Sequence, residues 1–187
     1  MVRARRARDA GITFRETVAL VLRCITGDGL FVAPGTSSTR GHSQLLTFQT
    51  ERARRRGRLF LSIEHEFIVE EDAHDEPLVT ILSYIFTIYD GQERRLLGYH
   101  YHPEGRGEAS VPFPHLHIYG DFTAAGRLLQ KLHLPTNRIG VEDVVVLLID
   151  GFEIMPQPAY ARRETGGEER WRRVLRDARE TFAHLRR

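Results

Sequence analysis

The spacing of hydrophobic residues changes along the chain, and near the N-terminus it is helical. Apolar side chains recur every fourth residue, at Phe14, Val18 and Leu22. This spacing predicts an amphipathic helix that runs to about Cys24. Thr13 and Glu16 have the spacing of a capping box, so the helix is expected to begin at Thr13. Residues 1–11 are then predicted to form a basic, flexible leader.

From Gln44 onward the apolar and polar residues alternate instead, which is typical of half-buried strands. Asp90-Gly91 adds a hairpin signal within this region. Short polar turns between the alternating segments favour antiparallel pairing, with residues 52–58 expected as a basic turn. The predicted strands are 45–50, 59–70, 78–89, 94–102 and 115–119.

The period becomes helical again after the strands. Residues 141–149 predict a short helix, and residues 168–187 an amphipathic, arginine-rich helix with Trp171 on its apolar stripe. We therefore expect an α+β fold, with a mainly antiparallel sheet of about five strands, an N-terminal helix and two C-terminal helices. The α+β domain would span residues 12–155, and residues 156–187 would be a linker and the last helix. That helix would pack on the domain or on a second copy of the chain. In the second case the protein would be a homodimer.

From the composition and the lack of an apolar targeting segment, we expect a cytoplasmic protein. Its only cysteine, Cys24, excludes an intramolecular disulfide and is expected to be a packing residue. No apolar run approaches the roughly 18 residues that a membrane span needs. The basic N-terminus is not followed by a secretory apolar segment. We expect no membrane partner.

Positive charge is concentrated in a few segments although the net charge is only +2. Of 27 basic residues only Lys131 is a lysine, and the arginines cluster in residues 3–8, in residues 52–58 and near the C-terminus. Local basic patches can bind phosphate backbones, which makes RNA a candidate partner. Arginine as a general solvated cation is the alternative explanation for each cluster.

Four of the nine histidines lie in two His-x-His pairs within one short stretch. Side chains alternate along a strand, so His100 and His102 should share a face, as should His115, His117 and Tyr119. If the two segments are adjacent strands, four imidazoles gather on one surface. Imidazole titrates near neutral pH and is a common metal ligand.

Three interpretations of this stretch remain open. In metal-independent RNA cleavage, one histidine acts as base and another as acid while an arginine stabilises the phosphorane. Zinc held by the four histidines is the second, and it would suit a zinc-dependent hydrolase. Histidines that only hydrogen-bond across strands are the third, in a non-catalytic module that binds protein or nucleic acid. The candidate acid–base residues are His102, His115 and His117, with His100 and Tyr119 orienting them and Arg40, Arg106 and Arg138 binding phosphate.

Four segments of the chain together resemble a group of uncharacterised bacterial proteins, and more distantly the TumE-like toxins of toxin–antitoxin modules. These segments are residues 96–103, 114–117, 133–138 and 143–149. The resemblance implies a small α+β protein with RNA-directed activity and a helix-turn-helix antitoxin as partner. We therefore expect a small intracellular toxin-like protein of a toxin–antitoxin or defence module, a ribonuclease that acts on RNA through its histidine cluster.

Overall fold

A seven-stranded antiparallel sheet, with strands ordered as they occur along the chain, forms the centre of the described part of the protein. The computed structural model describes residues 2–34, 44–54, 57–103, 113–119, 134–164 and 166–185. The strands are β1 (Phe31–Pro34), β2 (Gln44–Arg54), β3 (Gly57–Glu71), β4 (Pro77–Asp90), β5 (Arg95–Tyr101), β6 (His115–Ile118) and β7 (Leu134–Pro135). The five predicted strands correspond to β2–β6, and β1 and β7 are too short to give a periodic signal.

Three helices complete the α+β arrangement, as predicted. They are α1 (Val2–Arg23), α2 (Val141–Val146) and α3 (Arg170–Leu185). A π-helical turn (Leu147–Gly151) continues α2. None of the helices in the described ranges has the length and apolar composition that crossing a membrane requires.

Helix α1 begins far before the predicted cap. It starts at Val2, so residues 2–11 are helical and their prediction as a flexible leader is wrong. Thr13 lies inside the helix, where its carbonyl accepts a hydrogen bond from Thr17 Oγ1 at 2.7 Å, and because the helix starts at Val2 it is not an N-cap. Arginine and alanine both favour helix, and Ala10 is buried against the domain. Local propensity and packing thus continue the helix past the apparent start signal.

The turns between β2 and β3 and between β4 and β5 are short. Strands β2 and β3 are paired out to Arg54 and Gly57, so the predicted basic turn over residues 52–58 is mostly strand. Between β4 and β5, Asp90 Oδ1 accepts hydrogen bonds from the backbone amides of Gln92 and Arg94. An aspartate that binds its own turn in this way is a frequent hairpin device, and the Asp90-Gly91 signal is confirmed.

One face of the sheet packs against the helices. The Phe14 ring of α1 lies 5.4 Å from His65 and 4.7 Å from Phe67 on β3. His65 pairs with Tyr84 on β4, and Tyr84 pairs with Tyr101 on β5. Residues directly opposite each other in an antiparallel ladder share a face, so all of these side chains lie on the helix side, the helix-covered face.

Two side chains with potential chemistry belong to the core. His65 is 1% exposed and its ring meets the edges of Phe14, Tyr84 and Phe86, as expected for a core histidine. Cys24 is fully buried, and burial raises the pKa of its thiol to about 12. Because the thiol stays protonated at neutral pH, Cys24 is a packing residue and not a nucleophile.

Helix α3 packs on the domain through its apolar stripe, as predicted. Its buried side chains are Trp171, Leu175, Ala178, Phe182 and Leu185. The Phe182 ring lies 5.4 Å from that of Phe14, so α1 and α3 share one core. Outward arginines contact carboxylates elsewhere in the chain: Arg179 NH2 lies 2.6 Å from Asp143, and Arg172 NH2 lies 3.1 Å from Asp150. The segment after residue 156 is thus built into the same core as the sheet.

Truncation of Trp171 tests whether α3 stabilises the fold. Trp171 is 1% exposed, and Trp171→Ala should lower the free energy of unfolding by about 3–5 kcal/mol because a large cavity replaces the ring. The matched control is Met155→Ala, since Met155 is 60% exposed and its removal opens no cavity. Denaturant unfolding measures both variants, and equal midpoints for the two would contradict a core role for the helix.

Candidate functional site: a histidine cluster on the second face of the sheet

The two His-x-His pairs meet on adjacent strands. In the β5–β6 ladder His100 lies opposite His115, and Gly98 lies opposite His117. The His100 ring centroid is 4.6 Å from that of His117 and 5.7 Å from that of His115. His102 follows the end of β5, and its ring lies 5.8 Å from that of His100. The predicted adjacency and shared face are confirmed, and we call these four residues the histidine cluster.

The histidine cluster lies on the face of the sheet opposite the helices. Tyr101 and Tyr99 alternate with His100 along β5, and Tyr101 belongs to the helix-covered face. Tyr99 pairs with the buried Phe86 of β4 and packs against the core, so it lies on the helix side as well. The strand period of two therefore separates the core tyrosines from the imidazoles.

Three of the imidazoles converge closely enough to hold a metal ion. One ring nitrogen each from His100, His115 and His117 lies within 4.8 Å of the other two. His115 is 4% exposed, and its Nδ1 lies 2.8 Å from the carbonyl oxygen of Phe113. A carbonyl can only accept, so His115 Nδ1 donates this hydrogen bond. A backbone carbonyl that fixes the tautomer in this way is typical of metal-ligating histidines.

His100 is held in its neutral form. Its pKa is lowered from 6.5 to about 3, mainly by burial and to a smaller extent by the neighbouring imidazoles and Arg95. Its Nε2 is inaccessible to solvent, and no hydrogen-bonding group of the described residues reaches that atom. A neutral imidazole with an unused, buried nitrogen is suited to bind a cation and cannot serve as a general acid at neutral pH.

Gly98 leaves the space that the His100 ring occupies. A Cβ at Gly98 would lie 2.8 Å from His100 Nε2 and 3.1 Å from Tyr119 Cε2. The absence of a side chain therefore lets both rings lie over the backbone of β5. Gly98 was not among the predicted site residues, although a glycine two residues before a histidine on the same strand face indicates a close approach of another group to the backbone.

An arginine that the sequence analysis missed lies at the edge of the cluster. The Tyr119 ring stacks on that of His117 at 5.7 Å and 17°, and the guanidinium carbon of Arg95 lies 5.6 Å from the Tyr119 centroid. Strict alternation would put Arg95 on the same face as Tyr99. A β-bulge shifts the β4–β5 register between Ile88 and Tyr89, so that Tyr89 pairs with Arg95. The bulge thereby brings Arg95 to the histidine side, which period-two reasoning could not foresee.

Of the three predicted phosphate-binding arginines, the structure describes Arg138 alone, and Arg138 does not lie at the cluster. Arg138 NH2 donates to the Tyr101 hydroxyl at 3.1 Å, and its guanidinium lies 5.0 Å from the centroid of that ring. Since Tyr101 belongs to the helix-covered face, Arg138 stands on the other side of the sheet. Arg40 and Arg106 lie outside the described residues.

Comparison with models of protein families, with curated proteins and with solved structures finds no match for this chain. The resemblance to TumE-like toxins stays a prediction. The chemistry of the site is therefore inferred from the arrangement of its own residues.

The neutral state of His100 makes stability depend on pH. Its pKa of about 3 in the folded state lies below the usual 6.5, so the unfolded chain takes up the extra proton between these values. Above pH 6.5 His100 is neutral in both states and does not change the free energy of unfolding. As the pH falls from 6.5 towards 3, the free energy of unfolding decreases, because the unfolded chain binds a proton at His100 that the folded chain does not. Metal-free protein should lose up to about 1.4 kcal/mol per pH unit in this window because of His100.

Unfolding by denaturant between about pH 5 and pH 7, with chelator present, measures this slope. His100→Gln should flatten it. The control is His184→Gln, because His184 is an exposed histidine of α3. An unchanged slope in His100→Gln would show that His100 is not the group that resists protonation.

Proposed function

We propose that the histidine cluster is the metal centre of a hydrolase, with zinc as the ion that the ligand set favours. The observation that carries this proposal is the convergence of three ring nitrogens, from His100, His115 and His117, within 4.8 Å of one another. Three neutral histidines with an open fourth position are a known arrangement of catalytic zinc. A zinc ion bound there would supply a Lewis acid and lower the pKa of a bound water.

The hydrogen bond of His115 and the buried, neutral ring of His100 support metal binding over a purely structural role. The Phe113 carbonyl accepts a hydrogen bond from His115 Nδ1, so Nε2 is the nitrogen that would ligate the ion. Burial keeps His100 neutral, so no proton must be displaced from it at neutral pH. A buried nitrogen that has no hydrogen-bond partner is destabilising, and a bound cation would remove that penalty.

His102 is the candidate general base of such a centre. It lies just beyond β5 with its ring 5.8 Å from that of His100, and it is not among the three converging residues. An imidazole beside the ligand set could accept a proton from the attacking water at neutral pH. Tyr119, stacked on His117, would hold that ligand's ring in place.

Metal-independent cleavage of RNA is a second candidate, favoured by the closeness of His115 and His117. Their ring centroids lie 4.8 Å apart, so both imidazoles could reach one phosphodiester. One would take the proton of the 2′-hydroxyl and the other would protonate the leaving oxygen. This mechanism is the one expected for a toxin-like ribonuclease, and it needs no ion.

Metal titration tests the leading proposal. We expect one Co²⁺ or Zn²⁺ ion per chain, with the visible absorption bands of four- or five-coordinate cobalt. His117→Ala should weaken binding by at least about a hundredfold because one of three ligands is lost. His74→Ala is the control, since His74 is exposed in the β3–β4 turn. Equal affinity of the two variants would contradict a metal site at the cluster.

A chelator separates the two mechanisms. The metal-centre proposal predicts that hydrolysis of an activated ester stops in chelator and returns when Zn²⁺ is added. Cleavage of a single-stranded RNA that persists in chelator would support the acid–base mechanism instead. In that case His117→Ala should lower the rate by about a hundredfold or more. If neither substrate reacts under either condition, the cluster is not a hydrolytic site, and a non-catalytic binding module is the remaining interpretation.

A further inference from the structure

We propose that Arg95 is the anion-binding residue of the histidine cluster and that the substrate is a phosphodiester. This inference rests on the proposed hydrolytic centre and adds the chemical class on which it acts. A guanidinium presents a planar fork of N–H donors that matches two phosphate oxygens, and a neutral ester offers no such partner.

The position of Arg95 beside the cluster supports this proposal. Arg95, Tyr119 and His117 form a continuous stack, with Arg95 5.6 Å from the Tyr119 centroid and Tyr119 5.7 Å from that of His117. The stack ends at the cluster, since the His117 ring lies 4.6 Å from that of His100. One aromatic ring, that of Tyr119, therefore separates Arg95 from His117, the ligand at the end of the stack. A substrate bound at the cluster beside this stack would meet the positive charge of Arg95.

The comparison with Arg94 is the second argument. Arg94, the neighbouring residue, forms a salt bridge with Asp90 at 2.7 Å and donates from Nε to the same carboxylate. Among the residues that the structure describes, Arg95 takes part in no ion pair. Its contacts with Tyr119, a π-contact and a side-chain hydrogen bond, leave its charge without a carboxylate partner among those residues. A held but unpaired arginine beside a ring of imidazoles is suited to an anionic ligand.

The β-bulge is the third argument. Without the register shift between Ile88 and Tyr89, alternation would turn Arg95 towards the helix-covered face, with Tyr99. Bulges re-aim side chains and are common beside functional sites. Here the bulge delivers a cation to the one described surface where imidazoles gather.

The chemical step balances without any further reactant. The oxygen of water forms a bond to phosphorus, and the bond from phosphorus to one ester oxygen breaks. One proton of the water goes to the departing alcohol, and the other stays on the phosphomonoester or is released to solvent. The bound diester carries one negative charge, which Arg95 would contact.

Two esters with the same leaving group separate anion recognition from hydrolysis. They are bis(p-nitrophenyl) phosphate, which is anionic, and p-nitrophenyl acetate, which is neutral. For zinc-loaded Arg95→Gln we expect KM for the diester to rise about tenfold or more, because a charge-assisted contact is lost. Turnover of the acetate should not change. Arg94→Gln should leave both reactions unchanged, and Arg95→Lys should recover part of the KM.

The opposite results would overturn the proposal. If Arg95→Gln slows both esters equally, the residue supports the fold or the ligands and does not select a phosphate. If it affects neither, the anion binds elsewhere.

A binding measurement keeps this inference separate from the proposed hydrolytic function. Single-stranded RNA and DNA oligonucleotides of one sequence are titrated into the zinc-loaded protein at several salt concentrations. Loss of one phosphate contact in Arg95→Gln should reduce the slope of log affinity against log salt by about 0.7. The reduction would hold even if no ester is hydrolysed, and an unchanged slope would contradict the role of Arg95. Equal effects on RNA and DNA identify the phosphodiester as the recognised group, and an effect on RNA alone adds the 2′-hydroxyl.

Discussion

The pairing of β5 with β6 is the interaction on which the candidate site depends. It places His100 opposite His115 and Gly98 opposite His117, so two short segments of chain supply all three converging nitrogens. Within the described ranges, no helix contributes a residue to this group. The helices act indirectly, because α1 and α3 cover the other face and fix which side of each strand is buried in the core. The imidazoles are thereby gathered on the remaining face.

Burial gives this cluster its chemical character. An imidazole in water is partly protonated near neutral pH. His100 stays neutral, because its pKa falls to about 3, mainly through desolvation. The neighbouring rings add to the effect, since a proton on one repels a proton on the next. A buried, neutral nitrogen without a hydrogen-bond partner is destabilising, and in the proposed metal centre a bound cation would satisfy that of His100.

The sequence predicted those parts of the structure that follow from periodicity. Alternation placed His100 and Tyr99 on opposite faces, and the apolar stripe of α3 predicted the burial of Trp171. Local signals were less dependable: Thr13 looked like a helix cap but lies inside α1, because residues before it also favour helix and pack. Arg95 could not be placed from the sequence, since a bulge reverses its face. Arg138 was grouped with the histidines from its position near a turn, whereas contact with Tyr101 holds it on the far side.

The order of the strands has a consequence for how the protein acquires its site during synthesis. Every strand in the described sheet pairs with its neighbours in the sequence, so each hairpin can form as soon as its second strand leaves the ribosome. The β5–β6 hairpin with its histidines is then complete before α3, which follows it in the sequence, can pack on the opposite face. A nascent chain would carry the imidazole cluster on a sheet whose apolar side is covered by α1 but not yet by α3. Capture of an ion at that stage would favour the paired strands over other arrangements, so the ligand could assist folding as well as function.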